Sequence, residues 1–593
     1  MKRFYPSKCL NTKFFVLVYA PILLSMICIV FAHRRGDQGI LEQLTSNIFF
    51  ASMFIGFSIW SNNMIPDHNC FDEQLFPSIL WPVIYSFLVP CPAEHAGAGI
   101  VVQFLYKIAI KFIWWASLNT IRTCYLRTIA VLILSLELAL ISHISMVWTT
   151  GFLLITFCIK TFCCHNHCSR FATIILVFAS NKLLEDISSL APVAASPTNA
   201  LSLSASVQIF EVCLFSLILV CSLSTMAYWI LATTSWGLPY GVWQGDEVSV
   251  DVAVRLLVTS LIAVAVLVCV TAPCIAFITA DNLAVLVAAQ LYQHGCMSMF
   301  WCLVIAVSIH LASQSLSRDR IWIGPVSFPC SKTMVRKIYH IAAVTMFSPA
   351  VCMDSETLYF LSLSMGGAVC LFLAAEFVRC FLLANALSGH ANGRLRSFVP
   401  ISVMELLKAS DAFLASFQEG SVTSSQAEGE QSRRTLMRPI IFSHISLLLG
   451  VGSPVWLYCR YAVDPLASAT SQRSSATDAV GGGDVPIRPL LIIGLATVGV
   501  GDTAASVFGS LFGRLRWPGS RKTYIGTVAA FVSMAIYAVW MTASWRRPQW
   551  VSMTATFFLT ALAEATTTEN DNILLPLYAV AVFLSLRYCM NAS

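Results

Sequence analysis

Runs of about 20 apolar residues recur along this chain, and they limit its possible folds more than any other feature. A helix of about 20 residues spans the roughly 30 Å hydrocarbon core of a bilayer. The 593 residues are 57% hydrophobic and only 11% charged, with a mean hydropathy of +0.75. Soluble domains carry about 25% charged residues, so a soluble multidomain enzyme is excluded. The pattern predicts an all-α, polytopic transmembrane helical bundle with about 13–17 spans.

The candidate spans form two series along the chain. The first series lies near 14–32, 45–61, 74–90, 99–117, 127–148, 150–163, 208–233, 253–280 and 283–312. The second lies near 338–352, 357–385, 440–458, 488–512, 525–544, 551–565 and 573–590. The first run is long for a signal-peptide core and has no clean cleavage site, so we expect an uncleaved span. Polar stretches at 417–438 and 464–487 are predicted to be solvent loops without regular structure.

Charged residues are organised differently in the two series. The chain has 36 Lys and Arg against 30 Asp and Glu, and this net charge of +6 is too small to indicate a nucleic-acid partner. An ionisable side chain in hydrocarbon is costly and is by default a functional candidate. The first half has few and isolated ones, whereas those of the second half come in groups. We therefore expect the chemistry in the second half of the chain and predict no chemical role for the multi-span region at 1–330.

The segment from Gly499 to Thr527 carries the clearest chemical pattern. One helical face presents an acidic residue followed by small ones, at Asp502, Ser506, Gly509 and Gly513. Small residues four apart allow a second helix backbone to approach closely. The segment also contains Gly-x-Gly-x-x-Ala, but within a membrane span and without the strand–helix–strand unit that a dinucleotide fold needs. A P-loop is not supported either, because its glycines are missing.

Four cations follow that helix within ten residues. They are Arg514, Arg516, Arg521 and Lys522, and Trp517-Pro518-Gly519-Ser520 forces a turn between them. Thr523 is placed to cap the next helix, whose N-terminal amides favour an anion. The positive-inside rule explains cations in a cytoplasmic loop, but not Asp502 within an apolar run. The pattern therefore predicts a polyphosphate site with room for a divalent cation.

Residues 501–527, GDTAASVFGSLFGRLRWPGSRKTYIGT, strongly resemble the CTP-binding signature of the dolichol kinase family, which belongs to a wider group of membrane polyprenol kinases and CTP-using lipid enzymes. Other segments resemble the family in the same order along the chain. They are Arg336-Lys337-x-x-His340 with Ser348-Pro349, Glu376-x-x-Arg379, Leu395-Arg396-Ser397-Phe398, the segment 443–450, and the segment 564–577. The resemblance covers about residues 335–590 and makes 331–593 a polyprenol-kinase-like domain.

The resemblance implies transfer of the γ-phosphoryl group of CTP to dolichol, giving dolichyl phosphate for glycosylation precursors. It places the enzyme in the endoplasmic-reticulum membrane with the nucleotide loop on the cytoplasmic side. The implied nucleotide-binding residues are Gly513, Arg514, Arg516, Trp517, Pro518, Gly519, Ser520, Arg521, Lys522, Thr523, Gly526 and Thr527. Two positions depart from the family, because Arg521 replaces a usual Lys and Ile525 stands where the family usually has Glu.

A mechanism follows from the chemistry of phosphoryl transfer, which needs positioning and charge stabilisation. We expect Asp502 and Lys522 to be catalytic, with Arg516 and Arg521 also on the phosphates and Mg²⁺ bridging them. Asp502 would hold the metal or accept the proton of the dolichol hydroxyl. Asp571 and Asn572 are further candidates for metal or nucleotide contact. The remaining candidates are Arg336, Lys337, His340, Glu376, Arg379 and Glu564.

Two other functions remain open on sequence alone. A CTP-dependent phosphatidate cytidylyltransferase would share the acidic–glycine–basic arrangement but would release pyrophosphate. A non-enzymatic lipid transporter or flippase would show paired inverted repeats with broken helices in both halves. Charged motifs in one half only favour the kinase over the transporter.

Overall fold

The computed structural model describes the chain in separate blocks. They are 26–31, 203–234, 247–279, 283–317, 320–323, 326–329, 332–377, 443–461, 488–518, 520, 522–543, 549–566 and 571–592. Six helices in these blocks are long and apolar enough to cross a membrane. The prediction of a multi-pass helical membrane protein is confirmed. The total of about 13–17 spans stays a prediction, because many of the runs lie outside the described residues.

The first described series contains a helical segment at 26–31, five longer helices and one short hairpin. The helices are α1 (Leu203–Thr234), α2 (Glu247–Val266), which continues through a π-helical turn (Leu267–Thr271) into α3 (Ala272–Thr279), then α4 (Leu283–Gln293) and α5 (Gly295–Ser317). Strands β1 (Arg320–Ile323) and β2 (Val326–Pro329) pair antiparallel. The single run expected at 283–312 is two helices, which meet at His294. The prediction of a single span was wrong there. The run is apolar on both sides of the break, so composition does not show where the helix ends, and Gly295 is a weak helix former.

The second series forms the body around the predicted chemistry. Its helices are α6 (Lys332–Cys352), α7 (Ser355–Phe377), α8 (Ser443–Tyr461), α9 (Leu490–Gly494), α10 (Asp502–Phe512), α11 (Tyr524–Thr542), α12 (Trp550–Thr566) and α13 (Asp571–Ala592). Between α9 and α10 the chain is π-helical, over Leu495–Gly501. Such turns are rare and are frequent at functional sites. This one ends directly at Asp502.

Glycines let two other helices approach the π-helical turn. A Cβ on Gly499 would clash with the Val344 side chain of α6. A Cβ on Gly501 would lie 2.9 Å from the Met534 side chain of α11. In each case the added carbon would overlap with the neighbouring side chain, so a larger residue would force α6 or α11 to shift. The turn is therefore enclosed where Asp502 begins its helix.

The small-residue face predicted on α10 is confirmed, because α10 packs closely on α11. A Cβ on Gly509 would lie 3.0 Å from the Thr523 Oγ1, and one on Gly526 would lie 2.9 Å from the Ala505 carbonyl oxygen. Neither position has room for a side chain. Close backbone contact is the usual way in which small residues hold membrane helices together.

The hydrophobic core continues across residue 330. Phe210 of α1 stacks on Trp456 of α8 with ring centroids 4.4 Å apart. Trp301 of α5 stacks on Phe360 of α7 at 5.2 Å and donates its indole hydrogen bond to the Met346 carbonyl oxygen at 2.8 Å. Helices of the first series thus pack against the second series. The division at residue 330 stays a prediction about where the chemistry lies.

Candidate active site

Charged residues from four parts of the second series meet at one end of the bundle. They come from α6, from the start of α10, from the loop between α10 and α11, and from the junction of α12 and α13. Successive membrane helices alternate in direction, so the end of α12 and the start of α13 lie on the same side. The residues form two clusters that differ in depth.

The deep cluster consists of Lys337, His340 and Asp502. The Lys337 ammonium forms an ion pair with Asp502 Oδ2, and the His340 Nδ1 lies 3.2 Å from the same oxygen. Their side chains are at most 9% exposed. His340 Nδ1 also lies 2.9 Å from the Val498 carbonyl oxygen. Since a carbonyl oxygen only accepts, Nδ1 carries the hydrogen.

The geometry of Asp502 leaves part of its carboxylate available. Both contacts of the deep cluster are made by Oδ2. A carboxylate has about four acceptor positions on two oxygens, so Oδ1 has the capacity to accept a further proton donor or bind a cation. Lys337 and His340 lie three residues apart on α6 and therefore share a face. The helix thus brings both donors to one acceptor.

The shallow cluster consists of Lys522, Glu564 and Asp571. The Lys522 Nζ lies 3.5 Å from Glu564 Oε1 and 3.4 Å from Asp571 Oδ2. The side chains of Lys522 and Asp571 are 29% and 33% exposed, whereas Glu564 is 8% exposed. Burial lowers the pKa of Lys522, but the two carboxylates outweigh burial and raise its pKa above the ordinary value, with a further contribution from Asp502. The two clusters therefore influence each other electrostatically.

The loop between α10 and α11 is a backbone hairpin. Arg516 and Thr523 form an antiparallel bridge, and the Trp517 N–H donates to the Lys522 carbonyl oxygen at 3.0 Å. The Ser520 N–H donates back to the Trp517 carbonyl oxygen at 3.0 Å, which closes the turn. This confirms the turn predicted from Trp517-Pro518-Gly519-Ser520. The bridge fixes the backbone from which Lys522 projects.

The hairpin is also held by side chains. Thr523 caps α11, because its Oγ1 accepts from the Gly526 N–H at 3.1 Å, as the sequence predicted. The Trp517 indole donates to the Thr527 Oγ1 at 2.9 Å, and its ring lies 4.1 Å from that of Tyr524. Arg516 and Pro518 stay exposed to solvent. The scaffold is thus rigid and its cationic surface is open.

The other predicted residues have different surroundings or fall outside the described residues. The Asn572 side chain donates to the Ser446 Oγ of α8 at 3.3 Å. Glu376 is buried at the end of α7, Arg336 is half-buried, Arg514 is exposed and Gly513 is half-buried. Gly519, Arg521 and Arg379 fall outside the described residues.

Sequence reasoning missed two features of the site. The Val498 carbonyl oxygen orients His340, and no residue type in the sequence signals such a backbone contact. His444 of α8 lies beside α6 and α7, with its ring 5.6 Å from Tyr339 and 5.8 Å from Phe372. It belongs to the family-like segment 443–450, so its motif was recognised but its position next to the deep cluster was not.

A metal ion would need help from a ligand here. Among the described residues, no group of three or more His, Cys, Asp or Glu side chains is placed to hold a metal ion. Mg²⁺ commonly uses one or two carboxylates together with substrate phosphates. Glu564 and Asp571 approach the same ammonium group, and Asp502 has an oxygen in reserve. The donor set therefore fits Mg²⁺ bound together with a nucleotide.

Comparison with curated proteins gives a consistent family. The chain is 29% identical to the dolichol kinase of Bos taurus over 297 residues, which is 48% of this chain and 44% of that protein. It is 30% identical to the dolichol kinase of Homo sapiens over 259 residues, 43% of this chain and 38% of that protein. It is 28% identical to dolichol kinase sec59 of Schizosaccharomyces pombe over 254 residues, 42% of this chain and 39% of that protein.

The matches extend over part of each protein only. The chain covers less than half of the length of these relatives. No family model and no solved structure matches the chain. All six matching relatives carry the name dolichol kinase. The matching part of the chain is therefore similar to proteins named dolichol kinase, over less than half of their length.

Proposed function

We propose that this protein is a dolichol kinase, which transfers the γ-phosphoryl group of CTP to the terminal hydroxyl of dolichol or a related polyprenol. The observation that carries the proposal is the convergence of Lys522, Glu564 and Asp571 beside Asp502 in a multi-pass membrane protein. The names of the six relatives support phosphorylation of dolichol, and CTP as the donor is part of the proposal. The catalytic domain is residues 331–593, since every residue assigned a role lies there.

Lys522 is the principal phosphate-binding residue in this mechanism. Its backbone is fixed by the hairpin, and its ammonium group is held between two carboxylates. Its raised pKa keeps it cationic through the neutral range, so it is available to a triphosphate. Arg514 and Arg516 add exposed positive charge on the same hairpin, and Arg521 is assigned with them from the sequence. Phosphoryl transfer relies on this kind of charge stabilisation.

Mg²⁺ is the proposed metal, and Asp502 and Asp571 are its proposed protein ligands, with Glu564 as an additional carboxylate. When bound, the ion would neutralise charge on the phosphates of the nucleotide. The protein residues would orient the reactants around it. Asn572 follows Asp571 at the start of α13, and its hydrogen bond to Ser446 holds this first turn against α8.

Asp502 is the alternative acceptor for the hydroxyl proton of the lipid, a role that its remaining oxygen, Oδ1, would take in place of holding the metal. Its ion pair with Lys337 and its contact with His340 hold the carboxylate in one orientation, with Oδ1 uncommitted. A proton acceptor needs to lie within hydrogen-bond reach of the alcohol. The side chains of the deep cluster are at most 9% exposed, and electrostatic contacts are stronger in such buried surroundings.

The isoprenoid chain would remain in the bilayer while only the alcohol enters the site. Apolar side chains on α10, the hairpin and α11 are exposed next to the clusters: Phe508, Phe512, Leu515 and Val528. Such exposed apolar surface is expected where a membrane protein faces lipid. We place the nucleotide end on the cytoplasmic side of the endoplasmic-reticulum membrane, because nucleotides are supplied from the cytosol. No role for nucleic acid is part of the proposal.

The two alternatives lack support from the comparisons. None of the six matching relatives is named as a cytidylyltransferase or a transporter. A cytidylyltransferase would join the nucleotide to the lipid, whereas a kinase transfers only the terminal phosphoryl group. The products therefore separate these reactions directly.

The test uses membranes of cells that lack dolichol kinase and express the full chain. CTP labelled at the γ-phosphate is supplied with dolichol or with phosphatidate. We expect labelled dolichyl phosphate together with CDP, and no product in membranes that contain the Asp502→Asn variant at equal abundance. Release of labelled pyrophosphate with phosphatidate would show a cytidylyltransferase instead. Transfer from ATP in preference to CTP would contradict the proposed donor.

A further inference from the structure

A cysteine pair lies at the opposite end of α13 from the proposed active site. The Cys28 Sγ is 3.4 Å from the Cys589 Sγ, although 561 positions separate the two residues in sequence. Cys28 is completely buried, and its Sγ also donates to the Ser585 carbonyl oxygen at 3.5 Å. We infer that Cys28 and Cys589 form a disulfide that joins the first apolar run of the chain to its last helix.

The geometry requires only a small adjustment. A disulfide bond is about 2.05 Å long, so the sulfur atoms need to move together by roughly 1.4 Å. The exposure of the neighbouring side chains shows which face of segment 26–31 packs against α13. Met26, Ile27 and Val30 are all exposed, whereas Cys28 alone is buried against α13. The face that carries the thiol is thus the face that packs.

The depth of the pair in the membrane agrees with an oxidising compartment. Asp571, at the start of α13, contacts Lys522 in the shallow cluster. Cys589 lies 18 residues further along this helix, which corresponds to about 27 Å, close to the thickness of the hydrocarbon core. If the nucleotide end faces the cytosol, Cys589 lies at the lumenal side, where disulfides persist. This step rests on the proposed function.

The sequence around Cys28 gives the same sidedness independently. Four cations precede the first apolar run and two follow it: Lys2, Arg3, Lys8 and Lys13 before, Arg34 and Arg35 after. The excess favours the cytoplasmic side for the start of the run. Cys28 lies near the end of that run, which places it toward the lumenal side together with Cys589.

The oxidant would be the disulfide of a thiol–disulfide oxidoreductase. A Cys28 or Cys589 thiolate attacks that disulfide and forms a mixed disulfide, which the second cysteine resolves. One S–S bond forms in this protein and one breaks in the oxidoreductase, which takes up two electrons and two protons as two thiols. Since Cys28 is buried in the folded protein, the exchange takes place while the first and last segments assemble.

The experiment measures the bond in the full chain. Membranes are treated with N-ethylmaleimide before solubilisation, and the purified protein is digested without reductant and analysed by mass spectrometry. We expect a peptide pair joined through Cys28 and Cys589, which disappears after reduction and in the Cys28→Ser variant. The Cys459→Ser variant is the matched control, because Cys459 is a similarly buried helical cysteine, and it retains the linked pair. Recovery of both residues as free thiols, or their linkage to other cysteines, would overturn the inference.

A stability measurement tests the consequence of the bond. Dithiothreitol should lower the thermal midpoint of the wild-type protein, because reduction removes a constraint on the unfolded chain, and should leave Cys28→Ser unchanged. An equal effect of reductant on both proteins would also count against the bond. The outcome is separable from the proposed function. Free thiols in an active kinase would refute only the disulfide, and a linked pair in a protein without kinase activity would refute only the function.

Discussion

The deep and shallow clusters use the same chemical groups in different surroundings. In the deep cluster, Lys337 and Asp502 are 9% and 7% exposed and share one ion pair in the interior. In the shallow cluster, Lys522 and Asp571 are about one-third exposed and lie 3.4 Å apart. Water and ions screen the second pair but not the first. The same type of ion pair therefore has different consequences for folding at the two depths.

The difference also indicates a division of labour. A buried ion pair is costly to break, because removal of one partner leaves an uncompensated charge. An exposed pair can exchange partners with little loss. Under the proposed function, Lys522 would leave its carboxylates for a triphosphate, whereas Lys337 would stay paired with Asp502. In this proposal the deep cluster contributes both to folding and to the reaction, and the shallow cluster binds the nucleotide.

The largest effect is expected for Asp502→Ala. The substitution removes the proposed proton acceptor or metal ligand, and it leaves Lys337 buried without a carboxylate. We expect turnover to fall by about 100-fold or more and the free energy of unfolding to fall by about 3–5 kcal/mol. Dolichyl phosphate formation and the thermal midpoint of the detergent-solubilised protein measure the two effects separately.

A double variant separates the stability effect from the chemical effect. Asp502→Ala combined with Lys337→Met removes both charges and keeps similar volume at Lys337. We expect it to recover most of the lost stability while remaining inactive, because the interaction energy of the pair no longer applies. Wild-type stability in the single variant would show that the deep ion pair is not a structural element.

A smaller effect on stability, with a comparable loss of activity, is expected for Lys522→Ala. The ammonium group is proposed to bind the phosphates, so turnover should fall by about 100-fold. Its ion pair with Asp571 is partly exposed but Glu564 is buried, so the free energy of unfolding should fall by about 1–2 kcal/mol. Lys522→Arg is the control, since it keeps the charge and should retain measurable activity. Equal destabilisation by Lys522→Ala and Asp502→Ala would remove the distinction between the clusters.

Much of this arrangement was predictable from sequence, because it depends on local chemistry. The turn at residues 517–520, the Thr523 cap and the small face of α10 each follow from residue types a few positions apart. The partners of Asp502 were less accessible, since Lys337 lies 165 positions away and their contact depends on how α6 packs. Resemblance brought Lys337 and His340 onto the list of candidates, but neither composition nor spacing paired them with Asp502.

The smallest effect is expected for Ile525→Glu, which restores the residue that the resembling family usually has. Ile525 is 41% exposed in the first turn of α11, next to the hairpin, so the new carboxylate would be accessible and close to the proposed nucleotide loop. We expect the apparent KM for CTP to fall about fivefold, equivalent to about 1 kcal/mol. Thermal stability should stay within about 0.5 kcal/mol, as is usual at the surface. The control is Ile525→Gln, because Gln has the shape of Glu without its charge, and it should leave the KM for CTP unchanged. If KM instead rose for CTP and for every other nucleotide, the new carboxylate would be repelling the phosphates. Residue 525 would then lie beside the triphosphate and not beside the ribose or the metal.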